Sequence, residues 1–334
     1  MTKTHHRRPV TIDDVARLAG VSRQTVSRAI NDKPEIDPQT RDRILRLAQE
    51  LGYRPSRFAR GMVRRDVLTL GLIIADVLNP FFPEVTKGVL DAAEGLGWQV
   101  VVHTTGSRHD KERAAAAAVT AQADACVAFL FDPDAIQRLA TSGIPFVLLD
   151  KGRTPSVPGV RIDFEGGVLA GMAHLVERGH RRIAMLDDRD HYVTGAADTR
   201  RDMYLSYART HRLPVDESWV LPADNSIEGG AAALDRLRAE HPDATAVFAY
   251  NDLIAIGATR RAVALDMSVP DELAVVGFDG LMLGELIDPP LTTLHIDKRR
   301  LGSLAVEQIA ALLATGHPVQ ETVVVPQLVV RSST

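Results

Sequence analysis

The chain has 334 residues, 45% hydrophobic, 25% charged and 5% aromatic, a globular composition that excludes a disordered or collagen-like chain. Its single cysteine, Cys126, excludes a disulfide framework and a cysteine-based zinc site, and no apolar run reaches the ~18 residues of a membrane span. The net charge of −4 hides a split: residues 1–65 carry 15 Lys and Arg against 7 Asp and Glu, and the remainder carries 24 against 36. A small basic head on a large acidic body suggests a nucleic-acid module joined to a part that must stay off nucleic acid.

Met1 to Pro9 is polar and basic without the apolar stretch of a secretory signal. Residues 1–9 are therefore expected to form a disordered tail and the protein to be cytoplasmic. Thr11 can cap a first helix, with Asp13 and Asp14 favoured in its first turn by the helix dipole. Val15, Leu18 and Ala19 follow at i, i+3 and i+4 as an apolar face. Gly20 supplies a left-handed turn. Ser22 can cap a second helix that turns Val26, Ala29 and Ile30 inward and Arg23, Gln24, Thr25, Ser27 and Arg28 outward. A third helix starts with Asp37 as cap and Pro38 at its first position, carries Ile44, Leu47, Ala48 and Leu51 inward, and stops at Gly52. Three short helices with a tight turn between the first two make a helix-turn-helix unit, whose second helix enters the major groove. Arg is a bidentate donor to guanine and Gln pairs with adenine.

The run Thr11-Ile-Asp-Asp-Val-Ala-Arg-Leu-Ala-Gly-Val-Ser-Arg-Gln-Thr-Val-Ser-Arg-Ala-Ile-Asn31, with Thr40-Arg41 and Leu51-Gly-Tyr-Arg-Pro-Ser56, resembles the N-terminal signature of the LacI family of bacterial transcriptional regulators. The resemblance implies a DNA-binding domain over residues 10–55. By the same resemblance Arg23, Gln24 and Arg28 contact bases, and Thr11, Ser22, Thr25, Ser27, Asn31, Ser56 and Arg57 contact the backbone. Residues 56–66 are very basic and match the family's hinge helix, which orders on operator DNA. Met62 matches its minor-groove wedge, an apolar side chain that kinks the duplex. Gly61 departs from the pattern and costs about 1 kcal/mol of helix propensity against Ala.

From Val67 onward strands and helices alternate. Strands are expected at 68–75, 98–103, 125–130, 145–149, 182–187, 244–250 and 273–278. Helices are expected at 82–97, 111–123, 167–178, 196–211, 228–240 and 252–265. This alternation means parallel sheets wrapped by helices, and the length implies two lobes. Cys126 lies in an apolar strand and is expected in the core. The body also resembles the LacI family and the related periplasmic sugar-binding proteins, through Gly71-Leu-Ile-Ile with Asn79-Pro-Phe-Phe, Gly179-His180, Asn251-Asp252, Val275-Val-Gly-Phe-Asp279, Pro290-Leu-Thr-Thr293 and Leu328-Val-Val-Arg. The implied fold is an all-α helix-turn-helix head and hinge on a two-lobed α/β body over 67–334, with an effector in the cleft. One lobe is expected to comprise residues 67–162 and 292–322, the other 163–291 and 323–334.

Ligands of open α/β sheets bind at the carboxyl ends of strands. Asp279 and Asn251 fall there, although Asn251 and Asp252 also suit helix caps. Arg200 matches the family's effector-contacting arginine, with Arg201 leaving the register open by one. Phe82 matches an aromatic wall. A guanidinium fork with carboxylate and amide groups can grip vicinal hydroxyls. Three departures stand out: Met203 where the family has Gly, Asn225 where many members stack an aromatic ring, and Phe164 where an Asn is usual. Phe164 is a candidate for the missing ring. The segment Asp187-Asp-Arg-Asp-His-Tyr192 is unusually charged.

The expected function is an allosteric repressor, a homodimer on a pseudo-palindromic operator, controlled by a sugar-like small molecule without cofactor, metal or membrane. The absence of a heptad-bearing tail favours a dimer over a tetramer. A non-sugar corepressor or a protein co-effector is the alternative, and a solute-binding protein a remote one. Neither a nucleophile elbow, a phosphate loop, a dinucleotide fingerprint nor a zinc-protease motif occurs, so an enzyme is not expected.

Overall fold

The computed structural model describes residues 12–30, 36–51, 67–150, 157–189, 199–316 and 322–334. The chain divides into two compact units, residues 1–68 and 69–334.

The first unit contains α1 (Ile12–Ala19), α2 (Arg23–Ile30) and α3 (Pro38–Glu50). Val15, Ala16, Ala19, Val26, Ala29, Ile44 and Ala48 form its core, with Val21, Ile36, Leu47 and Leu51 packed against it. Leu18, expected in this core, is instead 55% exposed. The inward stripe of α1 runs through Val15, Ala16 and Ala19, and at about 100° per residue Leu18 projects roughly 100° away from its centre. Gly20 takes φ +64°, closing α1 through the Val21 N–H, which donates to the Ala16 carbonyl at 3.1 Å. Arg43 of α3 donates to the Ala19 carbonyl at 3.1 Å, so the third helix satisfies an end carbonyl of the first.

The second unit holds two sheets. The first comprises β1 (Thr69–Ile74), β2 (Gln99–Thr104), β3 (Ala125–Ala128), β4 (Phe146–Leu149), β5 (Gly159–Ile162) and β11 (Thr322–Val324), in the order β11-β5-β4-β3-β1-β2. The second comprises β6 (Ile183–Asp188), β7 (Val220–Ala223), β8 (Ala246–Ala249), β9 (Ala274–Asp279), β10 (Thr292–His295) and β12 (Gln327–Val329), in the order β12-β10-β9-β8-β6-β7. Pairing is parallel except between β10 and β12. Parallel strands need both faces covered, which α4 (Phe81–Gly95), α5 (His109–Gln122), α6 (Pro133–Ser142) and α11 (Lys298–Thr315) do for the first sheet. For the second sheet α7 (Phe164–Glu177), α8 (Arg200–Thr210), α9 (Ile227–Glu240) and α10 (Asp252–Ala264) do the same. Cys126 is wholly buried in the first core.

The chain passes between lobes at Asp163, after His295, and between Val324 and Gln327. The Asp163 N–H donates to the Val324 carbonyl at 2.9 Å, joining two of these passages. The boundary expected at 292 therefore moves: Thr292–His295 belongs to the second lobe, because it pairs with β9 in register from Thr292–Val276 to His295–Asp279. Thr322–Val324 belongs to the first lobe, paired with β5.

Helices α9 and α10 meet through glycines. A Cβ on Gly257 would fall on the Ile227 carbonyl, and one on Gly230 on the Ile254 carbonyl. Gly257→Ala is expected to destabilise the body by about 1–3 kcal/mol through overpacking. Thermal unfolding should then report a loss of roughly 3–10 °C, with operator affinity unchanged in the folded protein.

Candidate functional site

Two sites emerge, one in each unit. In the head, Ser22 caps α2: its Oγ accepts from the Thr25 N–H at 3.1 Å and lies 2.8 Å from the Thr25 hydroxyl. Val26 and Ala29 are buried, which turns Arg23, Gln24 and Arg28 to solvent. At about 100° per residue these three span an arc of roughly 140° opposite the buried pair. Asp37 caps α3, accepting from the Thr40 N–H at 2.9 Å. Thr11, Asn31, Ser56, Arg57 and Met62, and the tail and hinge they belong to, lie outside the described residues, as does the side chain of Ser27.

In the body the site lies at the seam of the two lobes, at the carboxyl ends of β4, β6, β8 and β9. Thr199 and Asp202 form a reciprocal capping box at the start of α8, which fixes the direction of Arg200. Arg200 is buried, and its Cζ lies 4.2 Å from the Phe164 ring centre, 4.1 Å from Tyr250 and 4.5 Å from Phe278. Its Nη1 donates to the Tyr250 carbonyl at 2.6 Å, while its buried Nε has no partner. Such a cage favours a planar delocalised cation over an ammonium. Arg201, largely buried, lies 3.2 Å from exposed Glu217.

Beside the cage runs a polar chain. The Asn225 amide donates to Asp188 at 2.8 Å, and its oxygen accepts from the Asn251 amide at 2.7 Å. Asn251 also caps α10, accepting from the Ile254 N–H at 3.1 Å. Asp252 accepts from the Leu281 N–H and the Thr293 hydroxyl, both at 2.6 Å, and so ties α10 to the turn after β9. Burial and the neighbouring Asp279 push its carboxyl up to about 8.

Asp279 sits at φ +108°, a left-handed position that strains a non-glycine residue. Lys298, the wholly buried first residue of α11, donates to the carbonyls of Asp279 at 2.7 Å, Gly280 at 2.9 Å and Ile296 at 3.3 Å. Its ammonium also lies 3.6 Å from Glu84 on α4. Burial pushes Asp279 up to about 6, against the pull of Arg200 and Lys298. Burial likewise raises Asp150 to about 6, opposed by Arg200 and Arg161. Asp187 rises to about 6 through burial and the adjacent Asp188.

The seam thus gathers Arg200, Phe164, Asn225, Asn251 and Asp279. Phe82 stands apart in a file on the first lobe, edge-to-face with Phe81 at 5.3 Å and Phe129 at 5.2 Å; among the described residues no hydrogen bond, ring contact or ion pair joins it to the Arg200 cage. Tyr250, Phe278, Asp150 and Lys298 were not singled out by sequence. The first two are aromatics in apolar strands, indistinguishable there from core residues. The charged segment that begins at the end of β6 contains Asp187 and Asp188, to which the sequence assigned no role; its residues 190–192 lie outside the described residues. Among the described residues no three His, Cys, Asp or Glu side chains are arranged to hold a metal ion, and no helix is long and apolar enough to cross a membrane.

Residues 11–56 match the model of bacterial regulatory proteins of the lacI family, and residues 172–334 match a periplasmic binding protein-like domain. The HTH-type transcriptional repressor PurR of Vibrio campbellii is 32% identical over 330 residues, covering 97% of this chain and 98% of that protein. Among solved structures, a CelR–cellobiose complex is 32% identical with a TM-score of 0.69, covering 98% of this chain and 100% of that one. The Lac repressor dimer bound to operator and the anti-inducer ONPF is 28% identical with a TM-score of 0.75, covering 98% and 99%. Head, body and relatives agree along nearly the whole length, and the chain belongs to the LacI family of bacterial transcriptional regulators.

Proposed function

We propose that this protein is a repressor that binds a pseudo-palindromic operator as a homodimer and changes its operator affinity when a sugar-like molecule occupies the seam between its lobes. In this reading α2 enters the major groove. Arg23, Gln24 and Arg28 read bases, while Thr11, Ser22, Thr25, Ser27, Asn31, Ser56 and Arg57 hold phosphates. Met62 wedges into the minor groove. The effector meets Arg200, Phe164, Asn225, Asn251 and Asp279, with Phe82 as the wall across from them. The observation that carries the effector half is the caged Arg200, a buried guanidinium with an unpartnered Nε at the strand ends of a two-lobed fold. The cellobiose held by the CelR relative supports a sugar-like ligand. The Lac repressor relative is itself an operator-bound dimer, and exposed Val101 and Val102 on edge strand β2 and Leu90 on α4 leave apolar surface available for pairing. In this reading the protein acts on chromosomal DNA, in the cytoplasm.

Selection of random duplex DNA by the full chain tests the reading. An enriched inverted repeat is expected, with two equal half-sites set by the dimer. Gln24→Ala should relax the preference at a matched pair of positions in that repeat. Recovery of bulk DNA without a motif would overturn the proposal.

A further inference from the structure

The turn that ends β9 is held from both lobes. Asp279 and Gly280 take φ +108° and +67° in succession, and a residue with a Cβ keeps such a φ only where its surroundings enforce it. The carbonyls of these two residues converge on one atom, the Lys298 Nζ, at 2.7 and 2.9 Å, and the Ile296 carbonyl completes the set at 3.3 Å. An ammonium has three N–H groups, so each has an acceptor. On the second-lobe side the Thr293 hydroxyl accepts from the Gly280 N–H at 3.3 Å and donates to Asp252 at 2.6 Å. Asp252 in turn accepts from the Leu281 N–H at 2.6 Å. A Cβ on Gly280 would fall on His295, so the turn is closed on that side as well.

Lys298 comes from the other lobe. It opens α11, which packs on the first sheet and on α4. Asp297 caps α11, accepting from the Arg300 N–H at 2.9 Å. Glycines press α11 against α4: a Cβ on Gly88 would fall on the Arg299 carbonyl, and one on Gly302 on the Val85 carbonyl. The backbone of Lys298 is therefore fixed to the first lobe and cannot follow the turn if the lobes separate. Its side chain is wholly buried, and the Glu84 carboxylate, at 3.6 Å, offers charge beyond hydrogen-bond reach. A buried ammonium drawn off its carbonyls, and the carbonyls it leaves, would both go unsatisfied.

Resting on the effector reading above, we infer that Lys298 is a positioning residue of the effector site: from the first lobe it holds the strained turn that sets the direction of Asp279 on the second. The hold exists while the lobes are set as they are here. A ligand that needs Asp279 in this direction therefore binds this lobe arrangement better than one in which Lys298 has let go. That difference in affinity is what an effector requires to shift the lobes and, through them, operator binding. A residue that merely fills space would weaken the ligand whatever stands at position 279. A residue that acts through Asp279 has no effect once that carboxylate is gone.

Calorimetric titration of the full chain with ribose, glucose, galactose, cellobiose and lactose identifies the tightest of these sugars, which is then titrated into Lys298→Met, Asp279→Asn and the double variant. Lys298→Met keeps the side-chain length and removes the donors. It is expected to weaken that sugar at least about tenfold where Asp279 is present, and less than about threefold where Asp279→Asn is already in place. Equal losses in the two backgrounds overturn the inference, as does an unchanged affinity in Lys298→Met. Amide hydrogen exchange of the full chain without ligand gives a second reading. The Gly280 and Leu281 N–H groups should exchange at least about tenfold faster in Lys298→Met, with those of β8 as in the parent. Unchanged exchange at Gly280 and Leu281 overturns the inference too. Should Lys298→Met not fold, Lys298→Gln, which keeps a donor and loses the charge, takes its place in both measurements. Silence of the unaltered chain toward every sugar overturns the effector reading and the inference together, whereas the other failures leave that reading in place.

Discussion

Arg28→Ala is expected to lower affinity for the selected operator by roughly 30-fold to 10⁴-fold. One bidentate arginine–guanine contact carries about 1–3 kcal/mol of discrimination. A two-fold dimer presents two copies, so the loss doubles to about 2–6 kcal/mol, at 1.4 kcal/mol per factor of ten. Competition binding against bulk DNA measures it. Binding to non-operator DNA should change far less, because that affinity comes from phosphate contacts and follows salt concentration. Arg28 lies in the first compact unit and the caged arginine in the second, so the variant should bind effector as the parent does. Equal losses of operator and effector affinity would show that the two sites do not belong to separate units.

Arg200→Ala has the second large effect, in the opposite half of the molecule. The side chain supplies the cation that favours the ionised form of Asp150, Asp187 and Asp279. Removing it deletes charge-assisted hydrogen bonds to the ligand, about 1.5–3 kcal/mol each, and effector affinity should fall roughly 10²-fold to 10³-fold. A second signature comes from the sign of proton linkage. Without Arg200 the three folded-state carboxyls rise further above about 6, while their unfolded values stay near 3.8. The folded state then holds protons that the unfolded state has released, so stability is lost as pH climbs through this window. The drop in melting temperature relative to the parent should be larger at about pH 7.5 than at about pH 5. Arg200→Lys restores the charge and should recover much of the pH effect. It should not recover the ligand, because an ammonium cannot fill a slot between three rings as a planar guanidinium does. Normal effector affinity in Arg200→Ala would remove the cage from the site.

Much of this was written locally. The caps at Ser22, Asp37 and Asn251 sit where the sequence sets short polar side chains before apolar stripes, and β1 and β9 are continuous apolar runs of the kind only a doubly covered sheet requires. Helix α6 is less visible. Asp132, Pro133 and Gly143 mark its ends, and the Asp132 carboxylate does accept from the Ala135 N–H, but few apolar residues lie between them to establish a period. Strands β5, β7, β10, β11 and β12 span three or four residues each, too few for alternation to register. The lobe assignment of Thr292–His295 rests on pairing with β9, and nothing inside those four residues states which sheet they join. The seam divides the same way. Asp279 and Asn251 were legible from their places at strand ends. Tyr250 and Phe278 were not, because an aromatic in a strand looks the same whether it fills a core or encloses a guanidinium. Leu18 shows the limit of periodicity in a helix of two turns: two stripes about 100° apart compete there, and tertiary packing chose the smaller alanines.

Lys298, on the first lobe's α11, reaches the second lobe through main-chain oxygens, the carbonyls of Asp279 and Gly280, beside its ion pair with Glu84. Carbonyl acceptors are present whatever side chains those positions carry. If the seam holds the proposed effector, substitutions at positions 188, 225 or 250 should retune what it accepts while leaving the Lys298 contacts in place. In the proposed reading, recognition and articulation are separable: the seam can exchange one ligand for another while the Lys298 joint stays the same.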